Sequence, residues 1–334
     1  MSRRGRDLSD LSMTDRSRFP DHRGLATWGE RLVSLEEFAR EAAAHGRQLD
    51  DTQRAAAVRT FHAEAFDDTP VEGPFGRVAV FGGAYSNHLA LEALLGDARK
   101  RGAEAVYCLG DLGGFGPGPE QVWPLLEQGD VRCIQGNYEA SLAAGKDDCN
   151  CGYTDPRDNH FAELSYEYTR RSCSDRFKVW MGRLPAGRRV LVGSRELLLV
   201  HGSPRQVNEF LFYSTTPVAF LERLLERYRC DGFLCTHSGL HWHRHLPSGR
   251  DAINVGVIGR PANDGRPNVW YVLLEARGPG LGVEFVPLGY DHQRLAREMR
   301  AEGLPEEFVE TILTGCWTTC LEILPAAERA ASRY

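Results

Sequence analysis

The sequence predicts an α/β protein in which short buried strands alternate with amphipathic helices, and three observations predict it. Seven short apolar runs follow one another from Arg77 onward, each ending in Gly or polar loop residues: "RVAVFGG", "AVYCLGD", "VRCIQGN", "ELLLVHGSP", "DGFLCTHSG", "AINVGVIG" and "VWYVLLEA". The first of these are separated by helical segments, "ALEALLGDARKRG" and "EQVWPLLEQG", which gives a βαβαβ opening. The 334 residues are 42% hydrophobic and 26% charged, enough to bury a core in one large domain with extensions or in two domains.

Residues 1–70 show no strand-like run. "SLEEFAREAAAHGRQ" and "DDTQRAAAVRTFHAEAF" carry apolar residues at helical spacing, with Ser34 and Asp51 placed as N-caps, so a helical N-terminal extension is expected. Its first 25 residues are polar and arginine-rich, a composition that does not need to order. Residues 71–290 hold the seven strands, of which the last two lie close enough to be sequential antiparallel neighbours. After Tyr290, "DHQRLAREMRAEGLPEEFVETILTGCWTTCLEIL" returns to helical spacing with breaks at Gly303-Leu304-Pro305 and Gly315; residues 291–334 read as a helical tail packed on the domain.

Composition removes several function classes. Forty basic residues against 46 acidic give a formal charge of -6, which supplies no global basic field for nucleic acid or an anionic membrane. No apolar run approaches the roughly 20 residues of a membrane span, and the arginines of the first residues have no apolar segment behind them, so a cytoplasmic location is expected. Nine cysteines, an odd and scattered set, do not fit a secreted disulfide framework. A homo-oligomer joined through the helical extensions is the protein partner left open.

Four strand ends present metal-capable side chains in order: Asp111 in "CLGDLGGFG", Asn137 in "QGNYEA", His201 in "LLVHGSP" and His237 in "LCTHSG". In α/β sheets ligands gather at the carboxyl ends of strands, so side chains far apart in sequence converge there. Taken singly, Asp111 reads as a helix cap, Asn137 as a turn residue and each His as a hydrogen-bonded core residue. Four at successive strand ends, each beside Gly or Ser, point to a shared metal site. One carboxylate, one amide oxygen and two imidazoles suit one borderline divalent cation such as Zn, Mn or Fe(II) better than Ca. Gly110, Gly113, Gly114 and Gly116 permit a tight turn and close approach by an anionic group.

With these residues in place, the chain resembles the calcineurin-like metallophosphoesterase superfamily over about residues 77–290. "GAYSN" at 83–87, "GDLGG" at 110–114, "GNYE" at 136–139, "HGSP" at 201–204 and "THSG" at 236–239 stand in the order of that family's motifs D-x-H, G-D-x-x-G, G-N-H-[DE], H and G-H-x-H. "NVGVIGRP" at 254–261 looks like the strand and turn that follow the last motif in small bacterial members. The resemblance implies a four-layer α/β/β/α sandwich of two mixed β-sheets, and hydrolysis of a phosphoester between two metals.

The chain departs from that pattern on one side. The resemblance implies that the first metal's private ligands fall at Gly83, Tyr85 and Gly239, none of which matches. The second metal's ligands fall at Asp111, Asn137, His201 and His237, and all are kept. Tyr138 occupies the position of the motif histidine that helps protonate the leaving group, where a phenol of ordinary pKa about 10 is a weak acid.

The expected function is therefore a divergent phosphoesterase acting on a small metabolite or nucleotide with a single retained metal, and a second metal is doubtful. Asp111, Asn137, Tyr138, His201 and His237 are the expected catalytic residues, and Arg205, Arg260 and Tyr85 the expected substrate contacts. The alternative is a pseudoenzyme that keeps one metal and serves as a binding or scaffold protein. His88 and the alternating His241, His243 and His245 are available for a rebuilt first site, against the reading of an edge strand with a solvated face. Cys149, Cys151, Cys316 and Cys320 read as buried free thiols, with a structural Zn site as the alternative. Trp242, Trp270 and Trp317 read as core or interface residues.

Overall fold

The computed structural model describes residues 63–330 and, before them, the backbone of three short strands. Those strands, β1 (Leu11–Met13), β2 (Leu25–Trp28) and β3 (Arg31–Ser34), form an antiparallel sheet in that order. The expectation of a strand-free extension is corrected at these positions. Trp28 pairs with Arg31, which leaves two residues between the strands, and such short hairpins give little apolar run to read in a sequence. Most of the two segments expected to be helical lies outside the described residues; Ala63–Phe66 forms a single 3-10 turn.

β4 (Val71–Phe75) leads into the expected βαβαβ unit: β5 (Arg77–Phe81), α1 (His88–Lys100), β6 (Ala105–Cys108), α2 (Val122–Gln128) and β7 (Arg132–Cys133), with β5, β6 and β7 parallel. α1 begins where Asn87 accepts a hydrogen bond from Ala90 N at 3.0 Å. Three helices follow: α3 (Asn137–Ala143), α4 (Pro156–Ser172, capped by Asp155) and α5 (Asp175–Gly182, capped by Ser174). The chain continues through β8 (Gly187–Val192), β9 (Arg195–Val200), α6 (Val218–Tyr228), β10 (Gly232–Cys235), β11 (His241–His245) and β12 (Asp251–Val255). It ends with the hairpin β13 (Val269–Arg277) and β14 (Gly280–Leu288), then α7 (His292–Ala301), α8 (Glu306–Thr314) and α9 (Ala326–Ala330).

Two mixed sheets result, one of order β14-β13-β5-β6-β7 and one of order β11-β12-β10-β9-β8-β4. Strand alternation builds the layers. Val78, Val80, Leu197, Leu199, Leu234 and Val272 share one cluster between the sheets. Ala79 and Phe81 point the other way, against Leu91 and Leu94 of α1, while Leu198, Val200 and Phe233 meet Phe220 and Leu224 of α6. The architecture is the four-layer α/β/β/α sandwich.

One pairing differs from expectation. β12 and β13 lie in different sheets: β12 pairs with β10 and β11, and β13 with β5 and β14. The reason is β14, whose alternation of buried and exposed positions did not register as an apolar run; it takes β13 as its hairpin partner. In the tail, α7 and α8 bury Leu295, Met299, Phe308 and Ile312 with Phe115, Phe161 and Tyr168. α8 stops at Gly315, where φ is +76° and an added Cβ would stand 2.3 Å from Arg266 N.

Candidate metal centre

The loops after β6 and β7 meet so closely that two glycines are obligatory. A Cβ at Gly110 would lie 2.4 Å from Gly136 N, and one at Gly136 would lie 2.7 Å from Asp111 Oδ1. Glu139, fully buried at the start of α3, binds the two loops together. Its carboxylate accepts hydrogen bonds from the backbone N–H of Asp111, Leu112 and Gly136, each at 2.8 Å. Asp111 (φ 58°) and His237 (φ 32°) both sit in the left-handed region that non-glycine residues avoid, and such conformations persist only where surrounding contacts impose them.

Ligand atoms of Asp111, His201 and His237 all fall within 4.8 Å of one another, in a buried setting. His201 Nδ1 donates to Leu109 O at 2.6 Å, and His237 Nε2 donates to Cys151 O at 3.1 Å. A carbonyl only accepts, so each ring has its N–H committed on the outer side, as metal-binding imidazoles do. The inner nitrogens, His201 Nε2 and His237 Nδ1, face each other at 3.1 Å, with Asp111 Oδ2 3.3 Å from His201 Nε2. Two lone pairs so placed need a cation between them.

Asn137, the fourth ligand expected from the sequence, is buried at the start of α3. Its Nδ2 donates to Cys149 O at 2.9 Å, while its Oδ1 is buried without a hydrogen-bond partner. A proton on His201 relieves the imidazole pair alone. A divalent cation satisfies the pair and the carboxylate together, so the donor set of Asp111, His201 and His237 fits one metal. Burial works against charge on His201, but Asp111 outweighs it and raises the imidazole. His237 is pushed down to about 3, by burial first and then by His201.

No family model matches the chain. An uncharacterized protein of Methanocaldococcus jannaschii is 22% identical over 247 residues, 71% of this chain and 98% of that protein. The crystal structure of a hypothetical protein from Pyrococcus horikoshii superposes with a TM-score of 0.61 at 23% identity, covering 72% of this chain and 99% of that one. The crystal structure of a metallophosphoesterase from Sphaerobacter thermophilus superposes with a TM-score of 0.55, also at 23% identity, covering 72% of this chain and 98% of the other. The chain has the metallophosphoesterase sandwich fold.

In this metallophosphoesterase fold two residues of the cluster, Asp111 and His237, line a cavity of about 50 Å³. Its wall also includes Tyr85, Tyr138, Arg260 and Cys320. Tyr138 OH lies 3.0 Å from Ser165 Oγ, and burial drives its phenol far above the ordinary range, so it stays protonated. Tyr85 is likewise held protonated, by burial and then by the Asp111 charge. Its ring fills the space above Gly83, where an added Cβ would stand 2.4 Å from the ring.

Other expected residues fall elsewhere. Arg205 does not line the cavity: its guanidinium is paired with Glu209 at 2.8 Å and packs over Phe220, so its expected role as a phosphate clamp is corrected. His241 stacks on Trp270 and Phe285, and His243 and His245 both reach Asp251 Oδ1 at 2.9 Å on edge strand β11. His88 faces Glu298 at 3.5 Å. None of the four lines the cavity, which removes the histidine route to a rebuilt first site. Cys149 and Cys151 are joined in a disulfide, contrary to both readings of that pair, and Cys320 is a buried thiol in the cavity wall. Trp242 is core, whereas Trp317 stands behind Arg260.

Sequence reasoning assigned no role to Glu139, Tyr153, Ser165 or Phe308, and it read Cys320 as a buried thiol or a zinc ligand without placing it at this site. For Glu139 the signal was available, because it is the acidic residue of the "GNYE" run. The others arrive from the α4 region and the tail with no motif to mark them.

Proposed function

We propose that this chain is a metal-dependent phosphoesterase built around a single divalent cation, with a phosphoester of a small metabolite or nucleotide as substrate. The observation that carries the reading is the convergence of ligand atoms of Asp111, His201 and His237 within 4.8 Å of one another, with Asp111 and His237 in the wall of a cavity. Asp111, Asn137, His201 and His237 would hold the cation. When bound there, a divalent metal acts as a Lewis acid and lowers the pKa of water.

The chain's own residues supply the rest. Leu109 O and Cys151 O fix the two imidazole tautomers, and Glu139 fixes the loop that presents Asp111. Tyr138 offers a protonated phenol as a hydrogen-bond donor beside the carboxylate. Phe115, Phe161 and Phe308 line the cavity with apolar surface, which strengthens each electrostatic contact inside it.

A second reading, a metal-holding binding protein without turnover, is favoured by one observation. Tyr138 replaces an imidazole, and burial moves its phenol away from the range of a useful general acid. Assay of aryl phosphate mono- and diesters with Mn, Zn or Fe(II) separates the two readings. The enzyme reading expects metal-dependent turnover that falls by at least about a hundredfold in Asp111→Asn while the fold is retained. Metal-loaded wild type that binds phosphate and turns over no ester would establish the second.

A further inference from the structure

Arg260 is a buried cation with nothing to bind. It is 5% exposed and its Nε is buried without a partner. Among the described residues no hydrogen bond or ion pair reaches its guanidinium. A guanidinium carries five N–H donors and cannot shed its charge, so burying it unpaired costs several kcal/mol in general. Among the described residues its guanidinium lies over three aromatic faces: Trp317 at 3.5 Å, Phe115 at 5.6 Å and Tyr85 at 5.9 Å from ring centroid to Cζ. These accept the positive charge over the ring face and leave the in-plane N–H donors unused.

The platform is held in place. Trp317 Nε1 donates to Pro261 O at 2.6 Å and Trp317 N to Asn263 Oδ1 at 2.8 Å, so the tail is tied to the loop that carries Arg260. The neighbouring acid is already engaged. Asp111 Oδ2 faces His201, and Asp111 Oδ1 accepts from Tyr138 N at 3.3 Å. Cys320 and Tyr153, also in the wall, are neutral, since burial pushes thiol and phenol up. Gly239 borders both side chains: an added Cβ there would stand 3.2 Å from Trp317 and, in ordinary contact, 3.6 Å from Arg260 Nη2.

We propose that Arg260 is an oxyanion site, a fixed guanidinium on the Trp317 face that takes the phosphoryl oxygens of a phosphate ester and supplies the second positive charge of the cavity beside the metal cluster. This rests on the phosphoesterase reading for its ligand class. Gly83 and Gly239, where the resemblance places ligands of a first metal, border the Tyr85 ring and the Arg260 guanidinium respectively.

Calorimetric titration with inorganic phosphate tests the assignment, on wild type, Arg260→Gln and Arg260→Lys, each with metal and after chelation. Arg260→Gln is expected to weaken phosphate about 10- to 100-fold in both states with metal content unchanged. Equal phosphate affinity in wild type and Arg260→Gln overturns the proposal. Should Arg260→Gln not fold, Arg260→Lys decides alone, because it keeps the charge and loses the planar fork. Phosphate weakened about fivefold or more then supports the site, and unchanged affinity overturns it. Ester turnover on the same proteins keeps the two claims apart: phosphate binding that depends on Arg260 in a protein without turnover refutes the enzyme reading only.

Discussion

Asp111 holds a left-handed backbone because three N–H groups around it, its own included, converge on one carboxylate. Glu139 is the residue through which the loops after β6 and β7 act as a single unit. Gln at this position offers one acceptor oxygen and turns an N–H toward a donor. Glu139→Gln is therefore expected to cost about 2–4 kcal/mol in denaturant unfolding at neutral pH, and to lower metal content with it. Wild-type stability and full metal content in that variant would show that Glu139 does not organise the site. At this scale the sequence was readable where chemistry follows a strand directly: Asp111, Asn137, His201 and His237 each close an apolar run. It was not readable for the arginines. Arg205 and Arg260 both follow strand-end motifs, and only the turn that returns Glu209 to Arg205 distinguishes the paired cation from the unpaired one. Nor did "DDCNCG" show that Cys149 and Cys151 join and present Cys151 O to His237.

Among the elements, edge strand β11 shows how alternation can be right about a face and silent about its use. His241, His243 and His245 share a face as alternation requires, and β12 supplies the acid that occupies two of them. Burial raises the Asp251 carboxyl, but hydrogen bonds from His243 and His245 outweigh it and hold the group below its ordinary 3.8. Arg195 Nη2 adds a contact at 3.2 Å. Because the folded value is depressed, the stabilisation is fully present above pH 3.8 and is lost as pH falls through the lower folded value. Asp251→Asn should thus be less stable than wild type by about 1–3 kcal/mol at neutral pH, with the gap closing as wild type is titrated below pH 3.8. A gap independent of pH would mean that the charge on Asp251 is not what joins β11 to β12. The hairpin β13–β14 makes the complementary point. β13 is apolar nearly throughout and was legible, whereas β14 buries alternate residues only and was passed over.

Across the whole molecule, the cavity has three sources: strand-end loops, the segment that ends in α4, and the tail. The first is a property of the fold and was visible as motifs. The others were not, because Tyr153, Ser165, Phe308 and Cys320 become neighbours of Asp111 only when α4 and α8 pack on Phe115 and its cluster. The tail is therefore a wall of the site as well as a cover for the domain, and Trp317 is its anchor. Among the described residues no helix is long and apolar enough to cross a membrane. Metal content per chain tests the proposed single cation site most directly. Elemental analysis of protein purified without chelator should find about one divalent metal per chain in wild type and its loss in His237→Ala. No metal in wild type, or the same content in the variant, would contradict the account.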